Sequence, residues 1–369
     1  MRHNHVMADV VFLHVGAPKT GTTYLQDRLY LNRATLAKSG VHYPVGLHAD
    51  MFGAALDLID MPWGGQREGV RGEWDGLVAR VRRATGTAIV SHEILAGATK
   101  DQVSRAMSDL SGAQIHLVYS ARDIARQVPA EWQEMVKHQK ARAFSRFVKQ
   151  VRKAPRRDPA MWFWRAQGLP DVLGRWALNL QPEHVHLVTV PQSGAAPGEL
   201  WRRYCTAFAF DPALAPLDSE RRNVSLGVDE TALVRKLNKR LRAAGLDAAS
   251  YRSLVRGLVV HETLAQRQRM RRVTLPPAAH PWAEEVAEEW IEWVEGAGID
   301  VIGDLDDLRP VAPPADEKWA DPDRPRRRRM GDAALDSLVA VILEASDRPY
   351  PDENPTAKLG RAARRLRGQ

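Results

Sequence analysis

A strand, a glycine turn and a helix follow one another near the start of the chain, and this order constrains the fold more than any other feature of the sequence. Residues 11–26 read VFLHVGAPKTGTTYLQ. The apolar run Val10–Val15 predicts a buried strand, and the leucine spacing that follows predicts a helix over about Thr22–Lys38. Gly16 and Gly21 enclose four residues, which is the skeleton of a phosphate-binding loop.

The lysine of this loop is displaced from its usual place. Nucleoside triphosphatases carry Lys directly after the second glycine, whereas here Thr22 and Thr23 follow Gly21 and the lysine is Lys19, inside the turn. Backbone N–H groups and the positive end of the helix dipole would still surround an anion. No convincing apolar strand ends in an Asp that could hold magnesium. We therefore expect the loop to bind an anion that needs no metal.

Three further apolar runs predict strands, and helical patterns lie between them. The predicted strands are Thr87–Val90, Gln114–Tyr119 and His184–Val190. This alternation predicts an α/β fold with a mostly parallel sheet flanked by helices. Ligands bind at the carboxyl ends of the strands in such sheets. The polar motifs that fall at these ends are Gly16–Thr23, Ser91–Glu93 and Arg122–Asp123.

The composition favours anionic partners. Lys and Arg number 53 against 45 Asp and Glu, which gives a net charge of +8 and a pI of about 9.7. No window approaches the apolar length of a membrane span, and the N-terminus lacks the apolar run of a signal peptide. The single cysteine, Cys205, excludes an internal disulfide framework and fits a reducing compartment. These features predict a cytoplasmic location.

The pattern along the chain predicts three segments. Residues 1–227 form the core with the anion-binding loop, and residues 228–310 form a helical extension packed on that core. Residues 311–369 are predicted to be a linker with one short helix and a basic, partly disordered tail, because the segments VAPPADEKWADPDRP and RRRRM precede a short helical pattern and a basic end.

The loop after the first predicted strand resembles a motif of a known protein family. The run Pro-Lys-Thr-Gly-Thr-Thr after a strand (Pro18–Thr23) resembles the 5′-phosphosulfate loop of sulfotransferases that use 3′-phosphoadenosine 5′-phosphosulfate (PAPS), and HVGAPKTGTTYLQ looks like bacterial, especially actinobacterial, members. The family's second motif has an Arg at the end of a later strand and a Ser eight residues on, both on the 3′-phosphate. HLVYSARDIARQVPAEWQE supplies Arg122, but Ala130 replaces the Ser. The resemblance covers residues 9–226 well and is looser up to residue 310.

The resemblance implies a P-loop-like fold and a set of site residues. The implied PAPS-binding residues are Pro18, Lys19, Thr20, Gly21, Thr22, Thr23 and Arg122, together with Arg222 and Asn223 of a basic loop that closes over the 3′-phosphate. That loop could equally be a solvated basic turn. Lys19 would stabilise charge on the departing phosphate, and His92 or Glu93 would take the proton of the acceptor. The product would be 3′-phosphoadenosine 5′-phosphate (PAP), and no metal is required.

The sequence does not identify the acceptor of the sulfuryl group. A small molecule, a carbohydrate or a lipid would each supply a hydroxyl or amine. Nine basic residues and no acidic one lie between Lys137 and Arg157, which suggests either a docking surface for an acidic acceptor or a solvated helix face. Tyr24 either stacks on adenine or faces the core. No nucleic-acid partner is expected, and the oligomeric state is open.

Two other functions stay open beside sulfuryl transfer. A nucleotide kinase or triphosphatase shares the glycine spacing, but the displaced Lys19 argues against it. A non-catalytic anion-binding member of the fold is favoured by Ala130.

Overall fold

The computed structural model describes residues 8–346 except 158, 221–224, 315 and 317. In this part of the chain six parallel strands form one sheet in the order β2-β3-β1-β4-β5-β6, and helices flank it. The predicted α/β fold with a parallel sheet is therefore confirmed. The strands are β1 (Val10–His14), β2 (Val41–His42), β3 (Thr87–Ser91), β4 (Gln114–Ala121), β5 (Val185–Thr189) and β6 (Asp300–Ile302).

The central strand β1 is buried because both of its neighbours pair with it in register. Leu13 lies opposite Val90 of β3 on one side and Leu117 of β4 on the other. All three side chains are fully or almost fully buried. Strands covered on both faces take continuous apolar sequences, which explains why β1 was recognisable from its composition.

Helices connect and cover the strands. The α-helices are α1 (Thr22–Lys38), α2 (Asp50–Ile59), α3 (Glu73–Val81), α4 (Lys100–Asp109), α5 (Ile124–Lys137), α6 (Phe144–Lys153), α7 (Trp162–Gln167), α8 (Leu169–Trp176), α9 (Glu199–Ala207), α10 (Val228–Ala243), α11 (Ala248–Ser250, continued by a π-helix over Tyr251–Thr263), α12 (His280–Ala297) and α13 (Arg327–Ser346). Short 3₁₀ turns cover Trp63–Gly65, Arg67–Val70, Glu93–Gly97, Pro182–His184, Pro212–Leu214, Leu264–Gln266, Pro277–Ala279 and Leu305–Leu308.

The chain divides into two compact units. The first comprises the described residues within Met1–Glu134, Arg142–Asn223 and Val273–Trp319, and it contains the whole sheet. The second comprises the described residues within Met135–Ala141, Val224–Arg272 and Ala320–Gln369, and it contains α10, α11 and α13.

These units divide the chain differently from the three predicted segments. The predicted extension over 228–310 contributes β6 to the sheet, where Val301 pairs in register with Leu187. The predicted tail contains α13, a helix of 20 residues. Strands β2 and β6 were not predicted, because runs of 2 and 3 residues are too short to show a periodic pattern.

The helices carry no membrane-spanning candidate. Within the described residues, none combines the length and the apolar character that a bilayer crossing requires.

Candidate anion-binding and catalytic site

The strand order brings the three predicted motifs to one edge of the sheet. Strands β3, β1 and β4 are neighbours, and they run parallel. The loop after β1, the Ser91–Glu93 segment and the Arg122–Asp123 segment therefore leave the sheet side by side. The sequence predicted this convergence correctly, since the carboxyl ends of parallel strands share one edge.

Two positions of the loop require glycine. Gly16 has φ +136°, and a Cβ there would lie 3.0 Å from both the Glu93 carbonyl oxygen and the Ala96 Cβ. Gly21 has φ +91°, and a Cβ there would lie 2.6 Å from a methyl group of Leu200. The glycine spacing seen in the sequence thus reflects both backbone conformation and close packing.

Side chains from other elements hold the carbonyl groups of the loop. The Pro18 carbonyl accepts hydrogen bonds from Gln127 Nε2 at 2.8 Å and from Gln167 Nε2 at 3.0 Å. The Lys19 carbonyl accepts a longer one from Arg122 Nη1 at 3.4 Å. The loop and the Arg122 motif, about a hundred residues apart in sequence, are therefore in direct contact.

Thr20 is the buried anchor of the loop. Its carbonyl accepts from the Tyr204 hydroxyl at 3.2 Å, and its own hydroxyl donates to the Ala17 carbonyl at 2.6 Å. The same hydroxyl lies 2.5 Å from Ser120 Oγ on β4. Thr20 is fully buried, so the structure assigns its side chain to holding the loop rather than to ligand contact.

These contacts leave a run of backbone amides without partners. In a trans peptide the C=O and N–H groups point in opposite directions. The carbonyls of residues 18–20 point at protein side chains, so the N–H groups of residues 19–21 point away from them. The next amides, of residues 22–24, begin α1 and have no helical partner. Within the described residues, none of the six amides from Lys19 to Tyr24 donates to a backbone carbonyl.

Arg122 is a largely buried cation with no carboxylate partner within ion-pair distance among the described residues. The adjacent Asp123 pairs instead with Arg126. The pKa of Arg122 is lowered to about 10, mainly by burial and also by the charge of Arg126, while Asp123 opposes both. An anion bound beside Arg122 would offset the free-energy cost of burying this unpaired charge.

Lys19 lies inside the turn and pairs with α5. Its backbone adopts φ +67°, a left-handed conformation that is uncommon for a side chain with a Cβ. Its Nζ donates to Glu134 Oε2 at 2.7 Å. The Lys19 side chain is 32 % exposed and that of Glu134 18 %, so the pair borders solvent. Sequence reasoning did not predict Glu134 in the site.

Glu131, one turn before Glu134 on α5, was also missed. It is only 6 % exposed, and its Oε2 has no hydrogen-bond partner among the described residues. The pKa of Glu131 is raised to about 7, mainly by burial and also by the charge of Glu134, while Lys19 and hydrogen bonds from the side chains of Trp162 and Gln167 oppose the rise. The signal in the sequence was the spacing of the two acids, three apart, within the apolar stretch VPAEWQEMV.

His92 and Glu93 differ in their readiness to accept a proton. His92 Nδ1 accepts a hydrogen bond from the Ile94 amide at 3.3 Å, and burial lowers the pKa of this imidazole. Burial acts to raise the pKa of Glu93, but His92, hydrogen bonds from its own backbone and from Gln26, and the charge of Lys19 outweigh it. The pKa of Glu93 is therefore lowered, and its carboxylate accepts from Gln26 Nε2 at 3.0 Å.

A chain of three aromatic rings begins beside His92. The Phe52 ring lies 5.5 Å from the His92 ring, and Trp63 and Trp162 extend the chain of contacts at 6.3 Å and 5.7 Å between centroids. All three rings are partly exposed. Trp63 has φ +39°, a rare conformation for a bulky residue and one that clusters at functional sites. We call Phe52, Trp63 and Trp162 the aromatic cluster.

His14 lies at the end of β1, behind the loop. It is fully buried, with Nδ1 2.8 Å from Ser91 Oγ and Nε2 3.3 Å from Ser120 Oγ. The pKa of His14 is lowered to about 4, mainly by burial and also by His92, while Glu93 opposes the shift. The imidazole is therefore neutral at pH 7 and joins the ends of three neighbouring strands.

This buried imidazole should make stability depend on pH. Between pH 6.5 and 4 the unfolded chain binds a proton at His14 and the folded chain does not, so the free energy of unfolding falls as the pH falls, by up to about 1.4 kcal/mol per pH unit. Urea unfolding of the wild type and of His14→Asn at pH 7, 6 and 5 measures this slope. The variant should show the shallower slope, and equal slopes would contradict a buried neutral His14.

The remaining predicted residues are less informative. Arg222 and Asn223 lie outside the described residues. Thr22 is buried at the start of α1, and Ala130 lies in the second turn of α5 with no hydroxyl to offer. The Tyr24 hydroxyl accepts from Arg28 at 2.8 Å, and its ring packs edge-on against Trp201 while staying partly exposed.

Within the described part of the chain, no group of three or more His, Cys, Asp or Glu side chains is arranged to hold a metal ion. No protein-family model, curated protein or solved structure matches the chain.

Proposed function

We propose that this chain is a sulfotransferase that moves a sulfuryl group from PAPS to a hydroxyl or amine of an acceptor. The observation that carries the proposal is the run of six backbone amides from Lys19 to Tyr24 without backbone partners, next to the Lys19 ammonium. A helix N-terminus with oriented amides suits a phosphate or phosphosulfate group. The threonine hydroxyls at Thr22 and Thr23 would add donors.

Arg122 supports a second phosphate position. Its guanidinium is largely buried, has no carboxylate partner among the described residues and touches the Lys19 carbonyl. Arg binds phosphate by two parallel hydrogen bonds, which a dianionic 3′-phosphate would accept. The absence of a hydroxyl at Ala130 removes one contact, worth about 1.5–3 kcal/mol for a bond to a charged group.

The proposed transfer step uses few groups. The acceptor oxygen or nitrogen attacks sulfur as the bond from sulfur to the bridging phosphate oxygen breaks, and that oxygen keeps the electron pair. Lys19 lies inside the loop, where its ammonium would stabilise this developing charge. In the absence of a donor the ammonium is held by Glu134, so donor binding would exchange one anionic partner for another.

The acceptor's proton needs a base. His92 and Glu93 were predicted for this role, but His92 Nδ1 is engaged by a backbone amide and the pKa of Glu93 is lowered. Glu131 has a free buried oxygen and a pKa of about 7, which suits a base that works near neutral pH. We add Glu131 to the candidates and favour it over the other two.

PAP should bind more tightly than AMP. The extra 3′-phosphate would contact Arg122, so we expect at least a tenfold lower Kd, consistent with ~1.5–3 kcal/mol for a charged hydrogen bond. Isothermal titration calorimetry checks this, supported by melting temperatures, since ligand at about 100 times its Kd adds about 2.7 kcal/mol of stability. Arg122→Ala should remove the preference, whereas Arg83→Ala, at an exposed arginine, should keep it.

Three outcomes would count against the proposal. Equal affinity for PAP and AMP in the wild type would remove the 3′-phosphate site at Arg122. Turnover of ATP that depends on Mg²⁺ would favour a nucleotide kinase or triphosphatase. Tight PAP binding without transfer to a broad acceptor panel would favour the non-catalytic alternative.

A further inference from the structure

A basic groove lies beside α6 in the unit that contains the sheet. It is open, has a volume of about 460 Å³, and is lined by four cationic side chains and by Met161. The cations are Arg142, Arg146, Lys149 and Lys153. We call this the α6 groove. Its cations belong to the basic stretch between Lys137 and Arg157 that the sequence showed. The proposed function does not assign a role to this groove.

Three of the four cations share one face of α6, and Arg142 lies two residues before the helix begins. The spacing of Arg146, Lys149 and Lys153 by three and four residues places them on the side opposite the buried Phe144, Phe147 and Val151. From Arg146 to Lys153 they extend about 10 Å along the helix at 1.5 Å per residue. All four cations are exposed, and no carboxylate among the described residues lies within ion-pair distance of them.

Unpaired like charges at this spacing repel one another. A bound anion would therefore be stabilised by the groove and would relieve this repulsion. Two other arginines of the same unit do have carboxylate partners: Arg105 pairs with Asp75, and Arg156, one turn beyond α6, pairs with Glu289. A linear ligand with anionic groups about 5 Å apart would match successive cations, which follow one another at 4.5–6 Å on the helix face. The charge pattern therefore favours a chain of anions over a single ion.

The α6 groove and the aromatic cluster adjoin each other in sequence. Met161 lines the groove, and the next residue, Trp162, begins α7 and belongs to the aromatic cluster. Through Trp63 and Phe52 this cluster leads to His92. Trp162 also lies near enough to Glu131 to lower the pKa of that carboxyl. A ligand long enough to extend from the groove past Met161 would approach Trp162 and, beside it, the proposed base.

We propose that the α6 groove binds an anionic saccharide chain, the acceptor of the sulfuryl group, with its carboxylate or sulfate groups on the four cations. This inference rests on the proposed function for the acceptor role. Aromatic faces pack against the C–H face of a sugar ring, so the aromatic cluster would hold the unit that presents the reacting hydroxyl. A saccharide supplies both the repeated charge and a hydroxyl on every ring.

Two other anionic partners fit the groove less well. None of the large apolar side chains exposed in the described chain lies between residues 142 and 161, so the face offers nothing to insert into a membrane. The groove itself has no aromatic lining on which successive nucleic-acid bases would stack.

The test is equilibrium binding of a chondroitin sulfate hexasaccharide, without donor, at 50 and 200 mM salt. We expect affinity that falls as salt rises. The double substitution Arg146→Glu with Lys149→Glu should raise the Kd at least tenfold. The matched control, Lys38→Glu with Arg83→Glu, makes the same change in net charge at exposed positions elsewhere and should change the Kd less than twofold.

The outcomes separate the groove from the donor site. Equal weakening by both double variants, or no binding by the wild type, would overturn the proposal. Tighter binding of single-stranded DNA of equal charge, or of phosphatidylserine vesicles, would overturn it in favour of a nucleic acid or a membrane. PAP affinity, measured in parallel, should be unchanged in the groove variant. Saccharide binding without PAP binding would support the groove and remove only the proposed transfer activity.

Discussion

Replacing Lys19 with alanine is expected to lower the kcat of sulfuryl transfer by about 10²–10³ while changing the KM for the donor much less. The charge that Lys19 would stabilise, on the bridging oxygen, develops only as the bond to sulfur breaks. An interaction made mainly in the transition state affects kcat rather than ground-state binding. Steady-state kinetics with PAPS and an acceptor identified by panel screening measures both constants.

Glu134→Gln is the matched control for this experiment. Lys19 donates to Glu134 at 2.7 Å, so Lys19→Ala removes an ion pair as well as an ammonium. Glu134→Gln removes the same ion pair and keeps the ammonium. If the lysine acts on the donor, Glu134→Gln should retain most of the wild-type kcat and bind PAPS at least as well, since the ammonium no longer has an anionic competitor.

A kcat loss in Glu134→Gln as large as that in Lys19→Ala would mean that the ion pair positions α5 and that Lys19 has no role in chemistry. Wild-type kcat in Lys19→Ala would remove the displaced lysine from the mechanism altogether. Circular dichroism and melting temperatures for both variants show whether either loss reflects unfolding.

The sequence was sufficient to place the loop and its two neighbouring motifs. Buried strands are continuous apolar runs, and the glycines at 16 and 21 mark backbone conformations that other residues rarely adopt. The helix over Thr22–Lys38 was predicted with its observed bounds because a glycine turn precedes it and Gly40 follows it. Local rules govern each of these features.

The contacts that complete the site depend on tertiary packing. Nothing near Lys19 in the sequence indicates Glu134, which lies 115 residues away, and Gln127 and Gln167 hold the Pro18 carbonyl from two different helices. The pKa of Glu131 is raised by burial, and burial of a helical acid depends on what packs over it. Spacing alone could have suggested that Glu131 and Glu134 share a face, but not that the loop lies against it.

The sequence also could not choose between His92 and Glu93 as the proposed base. Adjacent residues at a strand end point to different sides, so each was equally placed. In the fold His92 Nδ1 faces the Ile94 amide and Glu93 faces Gln26, so both have partners. Glu131 Oε2, by contrast, is a buried carboxylate oxygen that lacks a hydrogen-bond partner among the described residues.

We expect Glu131→Gln to lower kcat by about 10²–10⁴, the usual contribution of general acid–base catalysis. A base must be deprotonated, so wild-type kcat should rise with pH through a midpoint near 7, the pKa of Glu131, and level off above it. Glu131→Gln should lose that limb of the profile, whereas Glu134→Gln, one turn along α5, should keep it. Glutamine fits the same buried volume without a titrating group, so folding should persist.

The variants His92→Asn and Glu93→Gln complete the set. If either of them abolished the rising limb of the pH profile while Glu131→Gln preserved it, the base would be a residue that the sequence first indicated. The buried carboxyl of Glu131 on α5 would then have only a structural role.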